Sequence, residues 1–152
     1  MKKSHTLLII IRILLGAVFV VSGFQKLAVP AENFQAVIDK FEVVQGPAGA
    51  FLSHAIPWWE FIFGIFLILG LWTTQALLAL WSLNVLLIGV VFSALFRKLP
   101  IEECGCFGEA LSLPLPAIFA VDIGLCVLFA VFFFFSRGSR LPGLDSFFKD
   151  KS

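Results

Sequence analysis

Charge is what this chain has least of. Only 14% of its 152 residues are Asp, Glu, Lys or Arg, where a soluble domain carries about a quarter. Histidine occurs twice and cysteine three times. Flavin, haem and nucleotide motifs are missing, so no organic cofactor is expected from motifs alone. No linker, repeat or low-complexity stretch divides the chain, and it reads as a single domain over 1–152. A formal net charge of +1 offers no basic footprint for phosphates, so no nucleic-acid partner is expected. What remains is apolar: 60% hydrophobic, with a mean hydropathy of +1.02. The expected surroundings are a lipid bilayer.

Four apolar stretches reach the roughly 20 helical residues that cross a hydrocarbon core. They run over about 7–28, 55–72, 75–96 and 115–136. Only Trp72-Thr73-Thr74-Gln75 separates the second from the third, which predicts a tight antiparallel hairpin. Lipid offers the backbone no hydrogen-bond partner, so the expected fold is all-α, an integral membrane four-helix bundle. Phe132–Phe135 read as lipid-facing or interfacial bulk. Lys2 and Lys3 ahead of an apolar run imitate a secretory signal. The run is too long for one, Arg12 interrupts it and no small-residue cleavage site closes it, so a retained first helix is expected.

Lys2, Lys3, Arg12, Arg137, Arg140, Lys149 and Lys151 fall on one side of such a bundle. Lys26, Lys40, Arg97 and Lys98 fall on the other. The excess of positive charge predicts both termini in the cytoplasm of a bacterial inner membrane. The segment between the third and fourth spans then faces the periplasm, where disulfides persist.

Between the first two spans, Phe34, Val37, Ile38 and Phe41 recur at helical spacing, with Gln35, Asp39, Lys40 and Glu42 between them. This pattern predicts a short interfacial amphipathic helix, ended by Gly46-Pro47, with a second short helical stretch over 50–55. It reads first as an anchor and second as a gating lid. Trp58 and Trp59 are expected at headgroup level as the second span begins.

Ionisable side chains inside a span are costly and mark functional candidates. Lys26, Glu60 and Asp122 share one half of the bundle with the segment between the third and fourth spans. A Lys26–Glu60 pair would neutralise both charges and tie the first helix to the second. Asp122 is deeper and needs either Lys26 or a proton, and could relay protons. The same residues also fit plain structural pairing. Arg12 is expected near the opposite surface, hydrogen-bonded to Asn84. Gly16 and Gly23 lie on the stripe of Arg12 and Lys26 and permit close helix approach. His5 and His54 read as solvated interfacial residues, and Cys126 as a small buried hydrophobe.

The remaining cysteines form Glu102-Glu103-Cys104-Gly105-Cys106-Phe107-Gly108. A disulfide across one intervening residue closes a small, strained ring, which suits exchange better than scaffolding. Glu102 and Glu103 disfavour a thiolate, and Arg97 and Lys98 could offset them. A redox pair is the first reading, a structural disulfide or packed free thiols the second, and metal the third. Intramolecular zinc lacks ligands here, whereas copper(I) would accept two thiolates.

Arg12, Leu15-Gly16, Phe19, Ser22-Gly23 and Lys26-Leu27 together resemble the DoxX-like membrane family, as do Phe34, Ile38 and Phe41. Ile56-Pro57-Trp58-Trp59-Glu60 and Gly64 through Gly70 extend the likeness. The Cys104-Gly105-Cys106-Phe107-Gly108 run resembles its MauE branch, the methylamine-utilisation membrane proteins. The resemblance implies a redox-associated four-helix protein of bacterial inner membranes. MauE-type members are linked to maturation of methylamine dehydrogenase and its periplasmic disulfides, and DoxX-type members include a subunit of a thiosulfate:quinone oxidoreductase. Cys104 and Cys106 would be the catalytic pair, with Lys26, Glu60 and Asp122 handling charge and protons. The implied partner is a periplasmic thioredoxin-like protein or dehydrogenase. A membrane quinone is the candidate second substrate, by analogy with four-helix thiol oxidoreductases such as vitamin K epoxide reductase. The alternatives are a non-catalytic assembly or scaffold subunit of a redox complex, and a small-solute carrier or metal-ion conduit.

Overall fold

Apolar runs punctuated by proline and glycine yield five helices in the computed structural model, which describes residues 2–44, 46–98 and 114–136. They are α1 (Lys2–Leu27), α2 (Ala31–Lys40), α3 (Pro47–Leu69), α4 (Thr73–Phe96) and α5 (Leu115–Ser136). All but α2 are long and apolar enough to cross a membrane. Packing runs from α1 to α3, α3 to α4, α4 to α5 and back from α5 to α1, closing a four-helix bundle. The α1–α3 contact is the most extensive, and α2 rests mainly on α3.

Local chemistry sets the boundaries. Pro30 precedes α2, whose first turn carries Glu32 and last turn Lys40, both favourable to the helix dipole. Pro47 opens α3 in the first turn, where a missing N–H costs nothing. Gly70 closes α3 at φ +70°, a left-handed conformation cheap for glycine. Its N–H bonds Leu67 O at 3.3 Å while Leu71 N–H bonds Phe66 O at 2.9 Å. The chain then turns through Gly70–Trp72 straight into α4, giving the expected hairpin.

The second span departs from expectation. Helix α3 begins at Pro47 rather than near residue 55, and Gly46-Pro47 starts it rather than ending α2, which stops at Lys40. The separate short helix expected over 50–55 is the first part of α3. Proline at the first helical position nucleates the helix, and Pro57 inside it loses one backbone bond without breaking it. Trp58 and Trp59 consequently lie midway along α3 instead of at its start.

Two apolar clusters flank a polar layer. Leu15, Phe19, Leu67, Leu80, Leu125 and Phe129 belong to the cluster nearer the α3–α4 turn. Phe41, Val91, Ala94, Leu115 and Ile118 form the other, at the α2 end. Between them along α4 lies Asn84, and along α5 Asp122, both buried. Phe132 is fully buried in the first cluster, so the phenylalanine run is only partly peripheral: Phe134 and Phe135 are exposed. A helix turns about 100° per residue, so four successive phenylalanines cannot share one side.

Candidate functional site

Lys26 occupies the last turn of α1, and Ser22 stands one turn earlier on the same side. Glycine on both helices lets α3 approach this strip. A Cβ on Gly23 would meet Pro57 O and Phe61 N at 2.8 Å, and one on Gly64 would meet Gly16 O at 3.0 Å. The approach is backbone to backbone, and it places Glu60 directly across from Lys26.

The Lys26 ammonium donates to Glu60 Oε2 at 2.7 Å, Glu60 Oε1 at 2.9 Å and Ser22 Oγ at 2.9 Å. All three of its protons are thereby used. Ser22 Oγ donates in turn to Glu60 Oε2 at 3.0 Å. The ion pair is almost wholly removed from solvent, with side chains 3% and 1% exposed. Phe34 of α2 covers it, the ammonium lying 5.3 Å from the ring centroid. The amphipathic helix expected between the first two spans thus turns Phe34 into the protein, and Phe41 just past its end is buried as well.

The other half of the polar layer is looser. Asn84 Nδ2 donates to Asp122 Oδ1 at 3.5 Å, the outer limit for such a bond. Among the described residues, Asn84 Oδ1 and Asp122 Oδ2 are buried without a partner. Ser22, Glu60, Asn84 and Asp122 line one small cavity with Phe19, Leu87 and Leu125, of about 10 Å³, the scale of a single water-sized particle. The layer therefore combines a saturated ion pair with an unsaturated carboxyl–amide pair, in contact through a common void.

Of the residues singled out in the sequence, Lys26, Glu60 and Asp122 come together. Cys104 and Cys106 lie outside the described residues, with the rest of 99–113. Asn84 reaches Asp122, where the sequence had suggested Arg12: α4 turns it toward α5, and depth alone carries no such rotation. Arg97 donates to Glu42 Oε2 at 2.6 Å across the exposed α2–α4 joint. Cys126 accepts from Trp81 Nε1 at 3.2 Å and is partly buried. His54 is exposed, its Nδ1 2.9 Å from Ala50 O. Ser22 has no role in the sequence reading, and Phe34 enters it only as part of the amphipathic face of α2. The signal for Ser22 was its four-residue spacing from Lys26.

The family described as methylamine utilisation protein MauE matches residues 4–139. The chain belongs to that family of membrane proteins. No curated protein and no solved structure matches it.

Proposed function

We propose that this MauE-family protein performs thiol–disulfide exchange through Cys104 and Cys106 at the outer face of a bacterial inner membrane, in support of a periplasmic partner. The observation that carries the reading is the Cys104-Gly105-Cys106 pair itself, set in the segment between the end of α4 and the start of α5. The end of α4 and the start of α5 lie at the end of the bundle where Phe41, next after α2, packs. The distribution of Lys and Arg favours the periplasmic side for it. Membership of the methylamine-utilisation MauE family supports a membrane protein serving that metabolism, whose dehydrogenase would be the partner needing disulfides.

The exchange balances as follows. A partner thiolate attacks the Cys104–Cys106 disulfide, forming one intermolecular S–S bond and releasing one thiolate. A second partner thiol then attacks the mixed disulfide, leaving the partner oxidised and Cys104 and Cys106 as thiols. Two electrons and two protons have moved to the pair. A membrane quinone is the chemical class that would take them back out, becoming the quinol. The partner is a thioredoxin-like protein or a dehydrogenase that needs disulfides. Lys26, Glu60 and Asp122 lie in the adjoining half of the bundle and would hold charge there while the cysteines react.

Complementation with Cys104→Ser and Cys106→Ser tests the reading. Each variant should lose activity, and one should trap a mixed disulfide with its partner that dithiothreitol releases. Full activity in both would overturn exchange and leave the protein as a non-catalytic assembly or scaffold subunit.

A further inference from the structure

We propose that Asp122 and Asn84, with Ser22 and Glu60, form a binding site for one monovalent cation, a proton or a sodium ion, in the middle of the bundle. The cation would bind whether or not the cysteines react, so failure of the exchange reading would leave this site standing.

Charge accounting points to it. Lys26 gives all three of its donors to Ser22 and Glu60, so its single charge is matched by the Glu60 carboxylate. Among the described residues Asp122 then makes no ion pair, and it is 3% exposed in a segment apolar enough for a bilayer. An ionised carboxylate left in that state is costly, and a single positive charge removes the cost.

The groups around Asp122 agree. From α1 come Lys26 and Ser22, from α3 Glu60, and from α4 Asn84, which carries no charge. On α5 the nearest titratable neighbour is Cys126, engaged by Trp81. Helix α2 contributes the Phe34 ring over Lys26, its Glu32 and Lys40 are exposed, and its half-buried Asp39 sits against Gly49 near the start of α3.

Geometry supplies the second argument. Asn84 Oδ1 and Asp122 Oδ2 are buried acceptors with no donor among the described residues, and Asn84 is 1% exposed. Both residues line the cavity of about 10 Å³ that Ser22 and Glu60 also line. Two unpaired acceptors beside two further oxygen-bearing side chains call for a donor or a hard cation, both of which oxygen ligands suit. The void admits one water-sized particle. Neutral organic ligands are too large for it, and an anion would face two carboxyl groups.

The test uses the full chain in lipid nanodiscs and follows thermal unfolding in two arms. One varies pH in choline chloride; the other replaces choline by sodium at fixed pH. Wild type should gain stability with rising proton or sodium concentration, and the active arm identifies the ion. Asp122→Asn should lose that arm's response, and Asn84→Ala should need at least several-fold more cation for half its effect. Responses that are the same in wild type and Asp122→Asn in both arms overturn the proposal. Infrared difference spectra of wild type alone guard against a variant that does not fold. A jump in the active ion must change a carboxylic-acid or carboxylate stretch, and a spectrum with neither also overturns it.

Discussion

The Lys26–Glu60 and Arg97–Glu42 ion pairs are 2.7 and 2.6 Å long, yet the first has side chains 3% and 1% exposed and the second 42% and 49%. Their lengths say nothing about their worth. The exposed pair joins the end of α2 to the end of α4, in reach of screening salt. The buried pair has been stripped of water, and each partner depends on the other to avoid an isolated charge. Glycine makes the difference. Gly16, Gly23 and Gly64 bring the α1 and α3 backbones into contact, and Lys26, Ser22 and Glu60 meet at hydrogen-bonding distance across the joint.

The largest break in this contrast comes from removing one buried partner. Glu60→Ala should destabilise the bundle by about 3–5 kcal/mol, because it strands the Lys26 charge. Unfolding in mixed detergent measures it. Replacing both, Lys26→Met with Glu60→Met, should recover most of that loss. A double variant as unstable as the single one would show that the penalty is not the unpaired charge.

Next in size is the joint that shapes the pair. Gly23→Val drives a side chain into Pro57 O and Phe61 N, backbone atoms that cannot step aside, and should cost about 1–3 kcal/mol. Gly89 has nothing within 4 Å of where a Cβ would stand, so Gly89→Ala should be neutral or stabilising by up to about 1 kcal/mol. Equal effects at the two glycines would remove the close-approach argument. Smallest is Arg97→Ala, expected to cost about 0–1 kcal/mol at low salt and less as salt rises. A salt-independent loss there would mean that the exposed pair behaves like the buried one.

Much of this was legible in the residues. Lys26 near the end of one span and Glu60 in the next, which runs the other way, had to meet at similar depth, and their opposite charges made pairing the cheap solution. The four crossing helices followed from apolar length, and the hairpin from the brevity of Trp72–Gln75. The second span was harder to read. Its first eight residues are mostly small, polar or aromatic, with Leu52 the one large aliphatic, and hydropathy falls too low there to reveal a helix that Pro47 has already started. Asn84 was given the wrong neighbour because depth along α4 is countable from the sequence, while the direction in which α4 presents it is not.

That distinction marks the boundary generally. Sequence alone determined the all-helical membrane class, the number of long apolar spans, and the opposite charges of Lys26 and Glu60 that pair between the first two of them. Tertiary structure decided that Phe34 covers Lys26, that Phe132 enters the core, and that Asn84 and Asp122 share a cavity with Ser22 and Glu60. The physical reason is that lipid is as apolar as a protein core. In water the polar face of a helix announces which side is buried. In a bilayer both sides are greasy, so helix rotation is set by close packing and polar pairing between helices that the linear pattern leaves unspecified.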